Sequence, residues 1–247
     1  MKFQFTAFRA EFCFAVFATL LAASSLAAQA ALPETLLRDG NRQLEEGRTL
    51  LSVPTLTAAR NIFESCLHID SRNAACAYGL ARTEHYLNQS AEYAHDSGAA
   101  KYWLDAAVED AQKAVAVNDR SADAHALLAD LYGAKISGPI SGMRFGPRAN
   151  AECARALQLD PGNAQAFAVT GRKYLYAPAM FGGDIDKAIE SFKKATALDP
   201  RSDEYFVWLA IAYRKKGDTA DAHQALTQAL LMNPRSAFAQ HAQSGAE

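Results

Sequence analysis

The chain has 247 residues, and 50% of them are hydrophobic, which is enough for a sizeable core. The 25 lysine and arginine residues nearly balance the 27 aspartate and glutamate residues, for a formal net charge of −2. Because no block of basic residues stands out along the sequence, the charge pattern argues against nucleic acid as a partner.

The amino-terminal segment has the features of a cleavable signal peptide. Lys2 and Arg9 supply a basic start, and the apolar run over 12–21 that follows is too short to span a bilayer comfortably. A small-residue A-x-A site occupies 28–30, so we expect the mature chain to begin at Ala31. The alternative interpretation of this segment is a buried first helix.

Removal of residues 1–30 would leave an exported protein. Cys13 lies inside the apolar run and not after it, so the sequence predicts a soluble periplasmic or secreted protein and not a lipoprotein. No other stretch is long and apolar enough to cross a membrane. Export would place the mature chain in an oxidising compartment, which permits disulfides.

Three cysteines follow the signal segment, and two of them lie close together in the sequence. Cys66 falls in the last turn of one predicted helix and Cys76 in the first turn of the next, so the short link over 70–73 would bring them together. We predict a Cys66–Cys76 disulfide; two small buried thiols are the alternative. Cys153 falls where a repeat needs a large apolar residue, and we expect it in the core.

Similar segments recur along the chain and mark the ends of repeats. They read LHIDSRNA (67–74), VAVNDRSA (115–122), LQLDPGNA (157–164), TALDPRSD (196–203) and LLMNPRSA (230–237). The intervals between equivalent positions shrink along the chain from 48 to 34 residues. Within a repeat domain over 31–234 we predict approximate repeats at 34–71, 74–119, 122–161, 164–200 and 203–234. Residues 235–247 are predicted to form a short capping segment and tail.

The extra residues of the longer repeats fall between the first and second helix of each pair. We predict enlarged loops there, at about 88–102, 133–147 and 177–184. Equivalent turns of a stacked array line up on one edge, which is often a binding face. That edge would gather Tyr102, Met143, Phe145, Met180 and Phe181, with Arg144 and Arg148 among them. The alternative is that the aromatic rings turn inward to close oversized turns.

The last repeat has the most regular pattern. Its two helical stripes consist of Phe206, Leu209, Ala210 and Tyr213, then Ala222, Leu226 and Ala229 before Pro234. This order resembles the tetratricopeptide (TPR) repeat. The resemblance implies an all-α fold, a right-handed α-solenoid of about five TPR-like helix pairs with enlarged intra-repeat loops. It also implies a scaffold that binds a protein or peptide.

The TPR resemblance further implies which residues line the concave surface, where peptides or partner helices bind. Val207, Ile211 and Arg214 match the lining positions of the last repeat, and Arg172 matches one in the preceding repeat. Families that clamp a carboxyl terminus use lysine and asparagine there, and that set is absent. We therefore expect a mostly apolar surface that suits an amphipathic helix or an acidic-apolar ligand.

A second resemblance involves the fourth repeat. The segments FGGD at 181–184, IDKA at 185–188 and FKKA at 192–195 resemble a motif in periplasmic TPR proteins associated with TRAP transporters. That resemblance implies a homo-oligomer with a central pore and a hydrophobic or carboxylate small ligand. We take the scaffold as the predicted function and this ligand carrier as the alternative. An enclosed apolar channel beside Met180 and Phe181 would favour the carrier.

No catalytic or metal-binding motif occurs in the sequence. The H-E-x-x-H, Walker and G-x-S-x-G patterns are absent, and the cysteines lack paired CxxC spacing. His85 and His95, with Asp96 adjacent, are interpreted as surface histidines on helices, with a metal site as the alternative. We therefore predict a protein that is not an enzyme and uses neither a cofactor nor a metal.

Overall fold

The computed structural model describes residues 32–245, and all helices and contacts below lie in that part of the chain. The predicted signal peptide over 1–30 and the expected mature start at Ala31 lie outside the described residues. Residues 32–245 form eleven α-helices and one short 3₁₀ helix, without a β-strand, so the predicted all-α class is confirmed. None of these helices is long and apolar enough to cross a membrane.

The helices follow one another with short connections. In chain order they are α1 (32–50), α2 (Val53–Ile69), α3 (Ala74–Tyr93), α4 (Ser97–Val117), α5 (Ala122–Ala134), α6 (Pro139–Leu159), α7 (Ala164–Tyr176), α8 (Ile185–Leu198), α9 (Asp203–Lys216), α10 (Thr219–Met232) and α11 (Ala237–Ser244). The 3₁₀ helix, Ala179–Phe181, lies between α7 and α8. From α2 onward each helix packs on the next. In addition, α5 packs on α7 and α7 packs on α9, so the helices stack in series as in a solenoid.

The repeat ends carry the same capping chemistry. Asn73, Ser121, Asn163 and Ser236 stand at the N-caps of α3, α5, α7 and α11, and each side chain accepts a hydrogen bond from the backbone N–H three residues on. Such caps satisfy one of the free N–H groups in a first helical turn. The recurring Ser or Asn seen in the sequence is therefore the residue that starts each of these helices.

Small residues let the paired helices approach closely. The Phe63 ring packs between Gly40 and Gly79, and a Cβ atom at Gly79 would come within 2.4 Å of that ring. Gly171 makes the same close contact with Phe192, where a Cβ atom would meet the ring at 2.7 Å. Phe63 and Phe192 are both fully buried, so they anchor the cores at the two ends of the stack.

Two of the three predicted enlarged loops are wrong, because the extra residues lengthen helices. The insert at 88–102 extends α3 and starts α4, where the Asp96 side chain accepts a hydrogen bond from Ala99 N at 2.9 Å. The insert at 133–147 is mostly the start of α6. Pro139 is its first residue, and the Ser141 hydroxyl accepts a hydrogen bond from Gly138 N at 3.0 Å. These helix-start signals outweigh the preference of the glycines in the segment for a loop.

The third insert, 177–184, is a connection of irregular backbone around the 3₁₀ helix. A Cβ atom at Gly183 would lie 1.8 Å from the Ala177 carbonyl oxygen, so the tight path of this connection requires glycine. Asp184 ends the connection as the predicted N-cap of α8 and accepts hydrogen bonds from the N–H groups of Asp186 and Lys187. This insert is therefore held in a defined shape.

The structure joins Cys66 of α2 and Cys76 of α3 in a disulfide. Both residues are fully buried in the core formed by the first three helices. Cys153 is half-buried and free, with its Sγ atom 3.4 Å from the Thr170 hydroxyl oxygen. The bridge ties the first helix pair to the second.

Candidate functional site

The inner face of the stack is the surface on which the resemblance to TPR proteins predicts that a partner binds. We define it as the side of α3, α5, α7 and α9 that faces the centre of the molecule. One equivalent position of these helices, directly after the small residue of each repeat, carries Arg82, Asp130, Arg172 and Ile211 in turn. Opposite charges therefore stand side by side along the face.

These charges form ion pairs within the chain, Arg82 with Glu45 and Arg172 with Asp130. The Arg172 guanidinium pairs with the Asp130 carboxylate and lies 5.0 Å from the centre of the Trp208 ring. His85 Nε2 lies 3.8 Å from Asp130, and burial, followed by the charges of Arg172 and Arg82, lowers the pKa of His85 to about 3. His85 is 7% exposed, so the prediction of a surface histidine is wrong. A neutral imidazole here completes a compact polar cluster.

Distant repeats meet across the inner face. Arg48 at the end of α1 pairs with Asp203 at the start of α9, at 3.2 Å. The Tyr86 hydroxyl donates a hydrogen bond to Glu204 at 3.2 Å, and Asn233 donates another to Asp203 at 3.1 Å. The last helix takes part as well, since the rings of Tyr93 and His241 lie 4.2 Å apart. The first and last helix pairs are thus in contact.

This closure leaves little concave surface for a partner. Every residue of α5 from Ala124 to Tyr132 is buried. In an open TPR array, one side of that helix would instead face the binding groove. Val207 is fully buried, so its side chain is inaccessible in this closed arrangement, and its assignment as a partner-binding residue stays a prediction. The physical reason is that the repeats curl tightly enough for inner helices to cover one another.

The other residues predicted for the concave surface also have partners inside the chain. Ile211 is half-buried against the carboxyl-terminal core, and Arg172 belongs to the polar cluster described above. Arg214 donates a hydrogen bond to the Ala242 carbonyl oxygen at 2.6 Å, which fastens α11 to α9. Sequence reasoning missed the contact between Arg48 and Asp203, because no local pattern reveals which distant repeats meet.

The exposed apolar side chains lie instead where the inserts are. We define the insert edge as Tyr102, Ile140, Met143, Met180 and Phe181, together with Arg144 and Arg148. Ile140 is 81% exposed, Met143 74%, Met180 82% and Phe181 64%. These residues follow the first helices of successive repeats, so the stacking order places them along one edge. Large apolar groups left in water in this way are a feature of interaction sites.

Phe145 differs from its neighbours in the insert. It is half-buried, and its ring stacks on the Tyr132 ring with centroids 6.1 Å apart. It belongs to the core cluster of α4, α5 and α6. The Phe145 ring therefore turns inward, as the alternative interpretation of the sequence had it. Met180 and Phe181 face solvent.

The insert edge is basic as well as apolar. The guanidinium groups of Arg144 and Arg148 lie over the rings of Phe145 and Tyr132, at 5.0 and 5.9 Å. Neither arginine has a carboxylate partner within residues 32–245. Lysines farther along the edge are neutralised, as Lys216 is by Asp186 at 2.9 Å.

Within 32–245 no group of three or more His, Cys, Asp or Glu side chains is placed to hold a metal ion. A shallow groove between α10 and the end of α11 is lined by both polar and apolar side chains, namely Arg214, Thr219, Ala222, His223, Leu226, Thr227, Leu230 and Gln243. The groove has no cluster of chemically reactive groups, so the insert edge is the stronger candidate.

Comparison with solved structures identifies the fold. The crystal structure of TTC0263, a thermophilic TPR protein from Thermus thermophilus, aligns with a TM-score of 0.62 at 23% identity, covering 84% of this chain and 98% of that chain. A chain of the APC/C hetero-tetramer Cut9-Hcn1 aligns with a TM-score of 0.52 at 18% identity, covering 87% of this chain and 38% of that chain. PilF from Pseudomonas aeruginosa has a TM-score of 0.49 at 17% identity, with 89% of each chain covered. The likeness to TTC0263 confirms the TPR fold.

Comparison of the sequence with known proteins identifies the family. No curated protein matches the chain. The profile of one family matches residues 44–247, which is well over half of the chain and includes every residue of the insert edge and the closing contacts. The chain therefore belongs to the family described as RMD1-3, regulator of microtubule dynamics protein 1-3.

Proposed function

We propose that this protein is a non-catalytic scaffold that is exported and binds a protein or peptide at the insert edge. The observation that carries the proposal is the exposure of four large apolar side chains, from 64% to 82%, on one edge of a TPR stack. Keeping Ile140, Met143, Met180 and Phe181 in water costs free energy that a bound partner would recover.

Two observations support export. The sequence over 1–30 has the order of features of a cleavable signal, and the structure forms a disulfide between Cys66 and Cys76. Disulfides persist in oxidising compartments and are rare where thiols are kept reduced. Mass spectrometry of the protein from fractionated cells tests this part: a mature chain starting at Ala31 outside the cytoplasm is expected, and an intact chain in the cytoplasm would disprove it.

Site-specific photo-cross-linking in the native cell tests the binding function. A photoreactive phenylalanine analogue replaces Met143 or Met180, and in matched controls it replaces Arg120 or Leu231. Arg120 and Leu231 are also exposed, but they lie at the opposite edge, where second helices end. We expect adducts of one defined protein from the insert-edge positions and none from the controls. Equal labelling at both edges would contradict a binding site there.

The alternative function, a TRAP-associated carrier of a small hydrophobic or carboxylate ligand, depends on the segment over 181–195. It requires an enclosed apolar channel beside Met180 and Phe181. These side chains are 82% and 64% exposed, so in the single chain they do not line an enclosed channel. We therefore place the carrier second. Native mass spectrometry showing a bound lipid or small acid in a homo-oligomer would reverse this order.

The family description names microtubule dynamics, which is a statement about other members of the family. The cross-linking experiment does not depend on it, because the mass of the adduct identifies the partner. The proposed scaffold function therefore depends on binding at the insert edge of this chain.

A further inference from the structure

We propose that the partner segment bound by the insert edge is an acidic amphipathic helix. Its apolar side would contact Ile140, Met143 and Met180, and its carboxylates would pair with Arg144 and Arg148. This inference rests on the proposed function and adds the chemistry of the partner to it.

The first turns of α6 supply a helical face that is exposed to solvent. α6 has 21 residues and α5 has 13, so the start of α6 extends past the end of its neighbour. Ile140, Met143, Arg144 and Arg148 follow a spacing of three and four residues, which places them on one face of the helix. All four are exposed, whereas Phe145 on the other side packs against Tyr132.

The charge of this face selects an acidic partner. From 131 to 151 the chain has three basic residues and no acidic residue. Lys135 pairs with Asp105, which leaves Arg144 and Arg148 without a carboxylate. Both guanidinium groups lie over aromatic rings, and a guanidinium can donate two parallel hydrogen bonds to one carboxylate.

The apolar part of the edge favours a helix over an extended strand or a lipid surface. Residues 32–245 offer no sheet edge to which an extended segment could add. Lipid recognition by basic clusters uses about four to eight cations, and α6 offers two that are unpaired. Met143 of α6 and Met180 of the 3₁₀ helix are both exposed, and flexible methionine side chains suit the apolar side of a bound helix.

Fluorescence anisotropy with synthetic helices tests the inference on the full mature chain. One peptide has leucine on one side and glutamate on the other; its matched control has lysine in place of glutamate. We expect the glutamate peptide to bind and the lysine peptide not to bind. Arg144→Glu with Arg148→Glu should weaken binding at least about tenfold. Arg120→Glu, at the opposite edge, should leave binding unchanged.

Ile140→Ser with Met180→Ser provides an independent variant that keeps the charges. This variant should also weaken binding of the glutamate peptide at least about tenfold, whereas Leu231→Ser should leave binding unchanged. All these side chains are exposed, so circular dichroism melting is expected to show folded variants.

Three results would overturn the inference: equal binding of both peptides, full binding by the arginine variant, or binding of phosphatidylglycerol vesicles without binding of either peptide. The last result would assign the edge to a membrane surface. Protein adducts from Met143 without binding of the glutamate peptide would leave the scaffold function in place and reject only the acidic helix.

Discussion

His85 is a residue of the inner face whose protonation state depends on burial. It is 7% exposed, faces Arg172 and Arg82, and has Gln89 and the paired Asp130 beside its Nε2 atom. Burial first, and then the two arginines, lower its pKa to about 3 from its ordinary value of 6.5. The depressed pKa gives stability that is fully present above pH 6.5. It is lost as the pH falls from 6.5 towards 3, because only the unfolded chain takes up the proton there.

The substitution His85→Gln should therefore reduce the dependence of the unfolding free energy on pH below pH 6.5. The parent protein should lose up to about 1.4 kcal/mol of unfolding free energy per pH unit through this group below pH 6.5, and the variant should lack that contribution. Urea unfolding at pH 7 and pH 5 measures the difference. His223→Gln, on the exposed side of α10, serves as the control. Parallel profiles for parent and His85→Gln would show that His85 is accessible to protons in the folded chain.

Phe145 and Phe181 are both aromatic residues of inserts, but their environments predict different effects on stability. Phe145→Ala should lower the unfolding free energy by about 2 kcal/mol, less than for a fully buried ring, because it loses the contact with Tyr132. Phe181 is 64% exposed, so Phe181→Ala should change it by less than about 0.5 kcal/mol. Urea unfolding of the two variants decides the matter. Similar losses would mean that Phe181 is part of the core.

At the level of helices, the sequence motifs marked helix starts better than they marked the shape of the inserts. The N-caps Asn73 and Ser121 recur in short motifs that are visible without a structure. The extended start of α6 was missed because Gly138, Gly142 and Gly146 suggest a loop, whereas packing of Phe145 and Ala149 on the neighbouring helices favours a helix. Once 139–148 is known to be helical, the spacing of Ile140 and Met143 reveals the exposed face.

The disulfide between α2 and α3 gives a prediction for this pair of helices. Cys66→Ser with Cys76→Ser should lower the unfolding free energy by about 3 kcal/mol, because the unfolded chain gains the freedom that the short cross-link removed. Chemical denaturation with and without reductant measures the loss. Cys153→Ser, which alters a half-buried free thiol, should cost less. Two free thiols at positions 66 and 76 in the purified protein would contradict the predicted bridge.

At the level of the whole molecule, the contacts of Asp203 join the two ends of the stack. Asp203 is 3% exposed and contacts both Arg48 and Asn233, while Tyr86 reaches the neighbouring Glu204. The serial stacking could be predicted from the repeat pattern. The closure could not, because it depends on small rotations between neighbouring repeats that add up along the chain.

Asp203→Asn with Tyr86→Phe should loosen this closure. The variant removes the charge of one ion pair and the hydroxyl of a second long-range contact, and leaves the helix cores intact. We expect a larger radius of gyration in small-angle X-ray scattering and faster amide exchange in α3. Asp221→Asn, on the exposed side of α10, should change neither. An unchanged scattering curve for the double variant would show that other contacts hold the ends together.

The contact of Arg48 with Asp203 restricts the addition of units to this array. Open solenoids gain or lose units freely, because each unit touches only its neighbours. Here an added unit would carry Asp203 past Arg48 and separate Tyr93 from His241, so the interior would be exposed to water. Added residues can instead be accommodated where this chain has them, in lengthened helices and in the connection at 177–184, and this is also where the side chains of the insert edge lie.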